Sequence, residues 1–332
     1  MKPWLLLPAQ LAHDAAPIGL KILSAFRESQ AYQWLPLDWQ GLRFENRLGL
    51  AGGVDKNAEQ IEDWWGFGPG FIEVGTVTPV AQEPNPGPIL FRNVEHLALC
   101  NRMGFPNLGV ESVRQNLLDL PHTRTTPIFV NIGRNRTTST ELAVRDYLLC
   151  MQEIGSLADA FVINISSPNT SGLRDLFEEQ NLRPFLLQLA EKRSQLGKQV
   201  RLLLKLSPDL TDEEMSRTVL TADTVGFDGF IATNTTIERK PGLGFPNEGG
   251  VSGGPLKEKS AHCLRQVLEA LGPRRRKGKL IVSTGGIMTP ADVRQRLALG
   301  ADLVQIYTAL VFEGPWFFSR VAKAMAQTQV GV

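Results

Sequence analysis

From residue 45 onward the chain repeats one pattern: a short apolar run, a polar break, then a longer stretch with apolar residues every three or four positions. The apolar runs predict strands over 48–51, 71–75, 128–132, 161–165, 202–206, 229–233, 280–283 and 303–307. The periodic stretches between and after them predict helices over 141–154, 182–196, 212–225, 258–271, 290–299 and 316–326. Thr211-Asp212-Glu213-Glu214 and Thr289-Pro290-Ala291-Asp292 read as helix starts, each with a capping hydroxyl followed by acids or a proline. Eight apolar strands alternating with helices imply an all-parallel sheet closed as a (β/α)8 TIM barrel of the α/β class. A doubly wound sheet would want fewer repeats and a Gly-x-Gly-x-x-Gly after its first strand, and that motif is absent.

Two stretches depart from this pattern. Residues 76–127 are long for a barrel connection and hold one clear helix, near 109–118; such insertions on a barrel top are commonly functional. In the first 40 residues, Leu11, Ala15, Ile18, Ile22 and Phe26 share one helical stripe, which Ala12, Ala16, Leu20 and Leu23 widen beyond what one packing partner requires. Two readings stand side by side: a lid over the barrel bottom or side, or an amphipathic hairpin in a membrane interface with Trp4 and Trp34 at its edges. The expected division is an N-terminal helical extension, 1–40, and a barrel domain, 41–332.

Composition narrows the function classes. With 42% hydrophobic residues the 332-residue chain can fill a core, and disorder is excluded. Its 35 basic and 34 acidic residues leave no strongly basic face for nucleic acid. The one dense basic cluster, Arg274-Arg275-Arg276-Lys277, falls between a helix and a strand and reads as a solvated loop. Cys100, Cys150 and Cys263 are widely spaced, without metal-ligand patterning, so no metal is expected and a reducing cytoplasm fits. The apolar start is too short for a signal peptide, and no 18-residue apolar window predicts a spanning helix.

Candidate chemistry gathers where strands end, the functional face of such barrels. Gly52-Gly53-Val54-Asp55-Lys56 follows strand one and Thr76 strand two; Asn131 ends strand three. Asn164-Ile165-Ser166-Ser167-Pro168-Asn169-Thr170 follows strand four, a density of amides and hydroxyls that suits a polar planar ligand better than a turn. Lys205 sits in the apolar strand Leu202–Leu206 and must be ion-paired or serve an anion. Thr233-Asn234-Thr235 ends strand six. Gly253-Gly254, Gly285-Gly286 and Tyr307-Thr308, around strands six to eight, suggest a phosphate approached by backbone N–H groups. No histidine lies in these loops, which counts against hydrolase and metal chemistry.

Nine such segments in order, among them Leu50–Asn57, Gly75–Pro79, Asn101–Phe105, Asn164–Arg174, Lys205–Asp209 and Val304–Thr308, resemble the signatures of the class 2, quinone-dependent dihydroorotate dehydrogenases over nearly the whole chain. The resemblance implies oxidation of dihydroorotate to orotate in de novo pyrimidine (UMP) biosynthesis, through one FMN per chain. FMN would touch Gly52, Gly53, Val54, Asp55, Lys56, Thr76, Asn131, Asn164, Lys205 and Thr233, with its phosphate near Gly253, Gly286, Tyr307 and Thr308. Orotate would be held by Lys56, Asn101, Arg102, Met103, Gly104, Phe105, Asn164, Asn169, Asn234 and Thr235. Ser167 would be the catalytic base, with Thr170 or a water as relay; cytosolic class 1 relatives carry cysteine there. His13, Arg92 and Tyr307 match positions facing quinone. The implied setting is peripheral, on the cytoplasmic face of a bacterial inner membrane, with the N-terminal helices on the membrane surface. A soluble electron acceptor, a lyase using Lys205 or Lys56 as a Schiff base, and a flavin-storage barrel are the competing readings.

Overall fold

The computed structural model describes residues 2–196 and 200–329. Eight parallel strands close into a barrel in chain order: Leu48–Asp55, Ile72–Val77, Ile128–Ile132, Ala160–Asn164, Arg201–Lys205, Gly229–Ala232, Leu280–Thr284 and Leu303–Ile306. Closure falls between strand eight and strand one, where Val304, Gln305 and Ile306 lie beside Leu48, Gly49 and Leu50. Each expected strand is present, and the largest difference is strand one, which runs on through Gly52 and Gly53 to Asp55. Glycines signal a turn, yet Gly52 serves close packing, since a Cβ there would run into Glu73 Oε1, while Gly53 takes a φ of +94°.

Side chains alternate across a strand, so every second residue points into the barrel. Low in the barrel those residues are apolar: Phe71, Phe129, Val162, Leu203, Ile231, Val282 and Leu303 form one buried cluster. Two positions further along the same strands they become Glu73, Asn131, Asn164, Lys205, Thr233, Thr284 and Gln305. The barrel is therefore a dry plug at its N-terminal end and a polar bowl at its C-terminal end. An antiparallel hairpin, Leu37–Trp39 with Leu42–Phe44, seals the floor. Phe44 meets Phe71 and Phe129 edge-on at 5.9 and 6.1 Å, and Trp39 donates to Gly278 O at 2.8 Å. Strands of three residues are too short to show periodicity, so the sequence reading passed over them. The 40/41 division falls in this hairpin's turn.

The expected helices ring the barrel, and Thr211 and Thr289 both head capping boxes. The basic cluster is corrected. The helix Lys257–Arg276 breaks at Gly272 (φ 58) and resumes at Pro273. Arg275 then pairs with Asp223 at 3.2 Å and Arg276 with Asp302 at 2.6 Å, so the cluster is a helix end rather than a loop, solvated as expected with Arg274, Arg275 and Lys277 exposed. The insertion after strand two contains more than its helix, Val110–Leu118. Val80–Gln82 pairs with Asn107–Gly109, and Ala98–Asn101 lies between Leu90–Asn93 and Gly250–Gly253.

The N-terminal arm also differs from the expected hairpin. It is one helix, Ala9–Ser24, preceded by a short turn, Pro3–Leu5, and Trp34 is buried rather than at an edge. The helix packs on Ile61–Trp65 and Leu90–Asn93, beside the barrel mouth and away from the floor. Its near side buries Leu20, while Ile18, Ile22 and Phe26 are 65%, 58% and 86% exposed. Trp4 donates to Val311 O at 2.8 Å and Lys2 pairs with Glu313 at 2.5 Å, tying the chain's start to the barrel. Among the described residues no helix is long and apolar enough to cross a membrane.

Candidate active site

One cleft opens at the C-terminal ends of the strands, and its floor is built on a residue that sequence reasoning missed. Glu73 on strand two is fully buried. Its Oε1 accepts from Lys205 Nζ at 2.9 Å and Asn131 Nδ2 at 2.6 Å, and its Oε2 accepts from Gln305 Nε2 at 2.6 Å. Four strands thus contribute to one charge-neutral network. A buried carboxylate is tolerable only with such donors. Lys205 answers the question its strand posed: it is ion-paired, which removes it as a free amine for the Schiff-base reading. Glu73 had a signal of its own, a lone acid in an apolar strand, inward-facing like Lys205.

Above this floor the amides form a second layer. Asn164 Nδ2 donates to Thr76 Oγ1 and Asn131 Oδ1, both at 3.1 Å. Asn234 Nδ2 donates to Asn164 Oδ1 at 3.2 Å and Ser166 Oγ at 3.0 Å. Asn169 Nδ2 reaches Asn101 Oδ1 at 2.9 Å, joining the strand-four loop to the insertion. Ser167 lines the cleft; its Oγ accepts the Asn169 N–H at 3.2 Å, and nearby Thr170 Oγ1 is buried without a partner among the described residues. Lys56 lies at the cleft edge, 3.3 Å from His13 Nε2. Burial lowers its pKa against the pull of Asp55 and Asp14. His13 is held down to about 4, by burial first and then by Lys56.

At the opposite end the cleft is lined by Gly253, Gly285, Gly286, Ile287, Tyr307 and Thr308. Gly253, Gly285 and Gly286 have φ of +87°, +106° and +69°, where a side chain is strained. Among the described residues no acceptor meets the N–H of Gly286 or Ile287. Thr308 Oγ1 shares a hydrogen bond of 2.8 Å with Ser252 Oγ, and burial raises the Tyr307 phenol to about 12.

Most residues singled out from the sequence line this one cleft, from Gly52, Gly53 and Lys56 through Met103, Gly104 and Phe105 to Thr233 and Thr235. Of those assigned to flavin, orotate, the base or quinone, five lie outside the lining, as do the proposed relay Thr170 and Gly254. Val54 packs on the core, and Asp55 accepts the N–H groups of Glu59 and Gln60, fixing the Lys56 loop rather than pairing with Lys56. Arg102 is turned to Glu248 at 2.5 Å. Arg92 donates to the carbonyls of Leu5 and Leu7, and His13 meets Lys56. Of the three residues matched to quinone, only Tyr307 lines the cleft. Missed entirely were Glu73, the roles of Gln305 and Ser252, and Thr284 at the end of strand seven.

The fold and its cleft define a class: a (β/α)8 barrel with a buried ion pair under its mouth, an amide-rich pocket at one side and a glycine loop at the other. The comparisons with known proteins give that class its family. The dihydroorotate dehydrogenase family model matches residues 35–328. The chain is 42% identical over 292 residues to the dihydroorotate dehydrogenase (quinone) of Stenotrophomonas maltophilia strain K279a, covering 86% of this chain and 82% of that one. It is 43% identical over 304 residues to that of Acidovorax sp. strain JS42, covering 87% and 85%. The crystal structure of the Eimeria tenella protein in complex with ferulenol matches with a TM-score of 0.86 at 33% identity, over 97% of this chain and 92% of that one. The chain belongs to the dihydroorotate dehydrogenase family, whose members are flavin-dependent oxidoreductases.

Proposed function

We propose that this chain oxidises dihydroorotate to orotate in de novo pyrimidine biosynthesis, holding FMN as its flavin and passing the electrons to a membrane quinone. The observation that carries this reading is the juxtaposition of Ser167, the Asn101–Asn169 and Asn164–Asn234 amide pairs, and Lys56 around one cleft that ends in a glycine loop. When bound, the flavin supplies the hydride acceptor and relays the electrons onward.

The residues present suit that group. Gln305 Oε1 is buried without a partner among the described residues, an acceptor awaiting a ligand N–H, and the free N–H groups of Gly286 and Ile287 suit a phosphate. Lys205, though paired, lines the cleft and would favour negative charge on the reduced ring. For the substrate, asparagine amides offer donor and acceptor together, matching the alternating N–H and C=O edge of a pyrimidinedione. Lys56 offsets the substrate carboxylate. Ser167 Oγ takes the proton from the ring carbon next to the one that loses hydride. A serine hydroxyl is a weak base, so the proton must move on, to the Thr170 hydroxyl, which has no partner among the described residues, or to a water.

Residues 1–40 are the quinone-access segment in this reading, with 41–332 the catalytic barrel. The exposed face of Ile18, Ile22 and Phe26, continued by Leu6 and Leu11, suits the headgroup region of a bilayer. The protein would then sit peripherally on the cytoplasmic face of a bacterial inner membrane, where His13, Arg92 and Tyr307 flank the route of a quinone. Anaerobic mixing with dihydroorotate tests the whole reading. The flavin absorbance should bleach and return on adding a quinone; a yellow protein that does not bleach refutes it.

A further inference from the structure

Beneath the glycine loop lies a charge without an opposite partner. Arg296, on the helix Pro290–Ala298, is 0% exposed. Its guanidinium meets neutral oxygens. Nη2 donates to Lys257 O at 2.6 Å, Ser260 Oγ at 2.8 Å and Gly285 O at 3.2 Å; Nη1 is 3.5 Å from Ser283 Oγ, and Nε has no acceptor among the described residues. The acid on its own helix, Asp292, is engaged elsewhere, by Lys257 Nζ at 2.5 Å and by the N–H groups of Met288 and Thr289. Burial draws the guanidinium's pKa down to about 10, against weaker support from Asp292 and Glu258. A buried cation without an ion-pair partner is costly, and such charges normally have a counter-ion in the working state.

The oxygens that Arg296 holds belong to the segments that form the anionic end of the cleft. Gly285 O is on the loop itself, and Lys257 O is on the first residue of the helix behind it. Gly286 packs so closely on Lys257 that a Cβ would collide with the Lys257 backbone. Ser260 Oγ donates to the same two carbonyls, at 3.0 and 2.7 Å, so Arg296 and Ser260 together fix both segments and Arg296 alone brings charge, while the N–H groups of Gly286 and Ile287 remain without acceptors among the described residues.

We propose that Arg296 is a positioning residue for the flavin's phosphate: it clamps the Gly285–Gly286 loop to Lys257 and sets a positive charge beneath it that the phosphate offsets. This rests on the reading of the flavin as FMN. The test compares full-length apoprotein with Arg296→Met and Arg296→Lys, titrating FMN and riboflavin separately and following quenching of flavin fluorescence. Riboflavin has the same ring and lacks only the phosphate. In Arg296→Met the preference for FMN over riboflavin should fall by about tenfold or more, with riboflavin affinity nearly unchanged, and Arg296→Lys should restore most of it. Equal weakening toward both ligands, or an unchanged preference, overturns the proposal. Should the methionine variant fail to fold, Arg296→Gln keeps a donor for the carbonyls, removes the charge and is judged by the same ratio. Wild-type protein that prefers FMN but is not bleached by dihydroorotate contradicts the proposed function instead, so the two failures are distinguishable.

Discussion

Replacing Lys205 with methionine removes the cation from the network under the cleft and leaves Glu73 fully buried. The lost contact is 2.9 Å long, between side chains only 7% and 0% exposed. Breaking a buried pair by deleting one partner costs about 3–5 kcal/mol. The carboxylate keeps two amide donors, Asn131 and Gln305, each at 2.6 Å. Hydrogen bonds to a charged group contribute about 1.5–3 kcal/mol each, so the loss should fall near the lower end, about 3 kcal/mol. Glu73→Gln strands the ammonium instead, which lines the cleft with its side chain 7% exposed where Glu73 is 0% exposed, and should cost less. The double variant Glu73→Gln/Lys205→Met removes both charges and should recover much of the single loss, because neither desolvated charge remains. Urea unfolding of the four apoproteins completes the cycle. A Lys205→Met loss below about 1 kcal/mol would show that the pair is not what supports the floor, and a double variant as unstable as the sum of the singles would show that the two residues act independently.

Three further outcomes are expected. Ser167→Ala should keep its flavin and bind orotate while bleaching by dihydroorotate slows by at least about 100-fold, the usual contribution of a positioned base; near-normal stopped-flow rates would remove Ser167 from that role. Deleting residues 1–26, which spares the floor hairpin, should leave bleaching intact and slow reoxidation by quinone, and unchanged quinone kinetics would end the access-segment reading. His13 titrates at about 4 when docked against Lys56, below the 6.5 of a free imidazole. The undocked arm therefore takes up the proton first, and docking weakens as pH falls from 6.5 toward 4, by at most about 1.4 kcal/mol per pH unit. Hydrogen-exchange protection across Ala9–Ser24, corrected for the pH dependence of intrinsic amide exchange, should fall over that window in the native chain and stay flat in His13→Gln; identical profiles would refute the linkage.

The sequence alone determined the barrel and the loops that carry chemistry. Eight apolar runs separated by helical periods allow few other closures, and the strand-end residues declare themselves because polar groups interrupt apolar runs. Local spacing also marked both capping boxes and the apolar face of the arm. What it left open were contacts between segments far apart in the chain. Glu73 and Lys205 are 132 residues apart, and only closure of the barrel, with both side chains facing inward at similar depth, makes them a pair. The hairpin under the floor was hidden because three-residue strands carry no period, and its value comes from Phe44 reaching Phe71 and Phe129. Arg296 falls inside the expected helix over 290–299, and nothing near it in sequence shows that its helix face lies under a glycine loop. Tertiary structure decided these because burial and charge compensation belong to the three-dimensional neighbourhood: a carboxylate or guanidinium has the same local pattern whether it meets water, an ion or a carbonyl, and only the fold chooses among them.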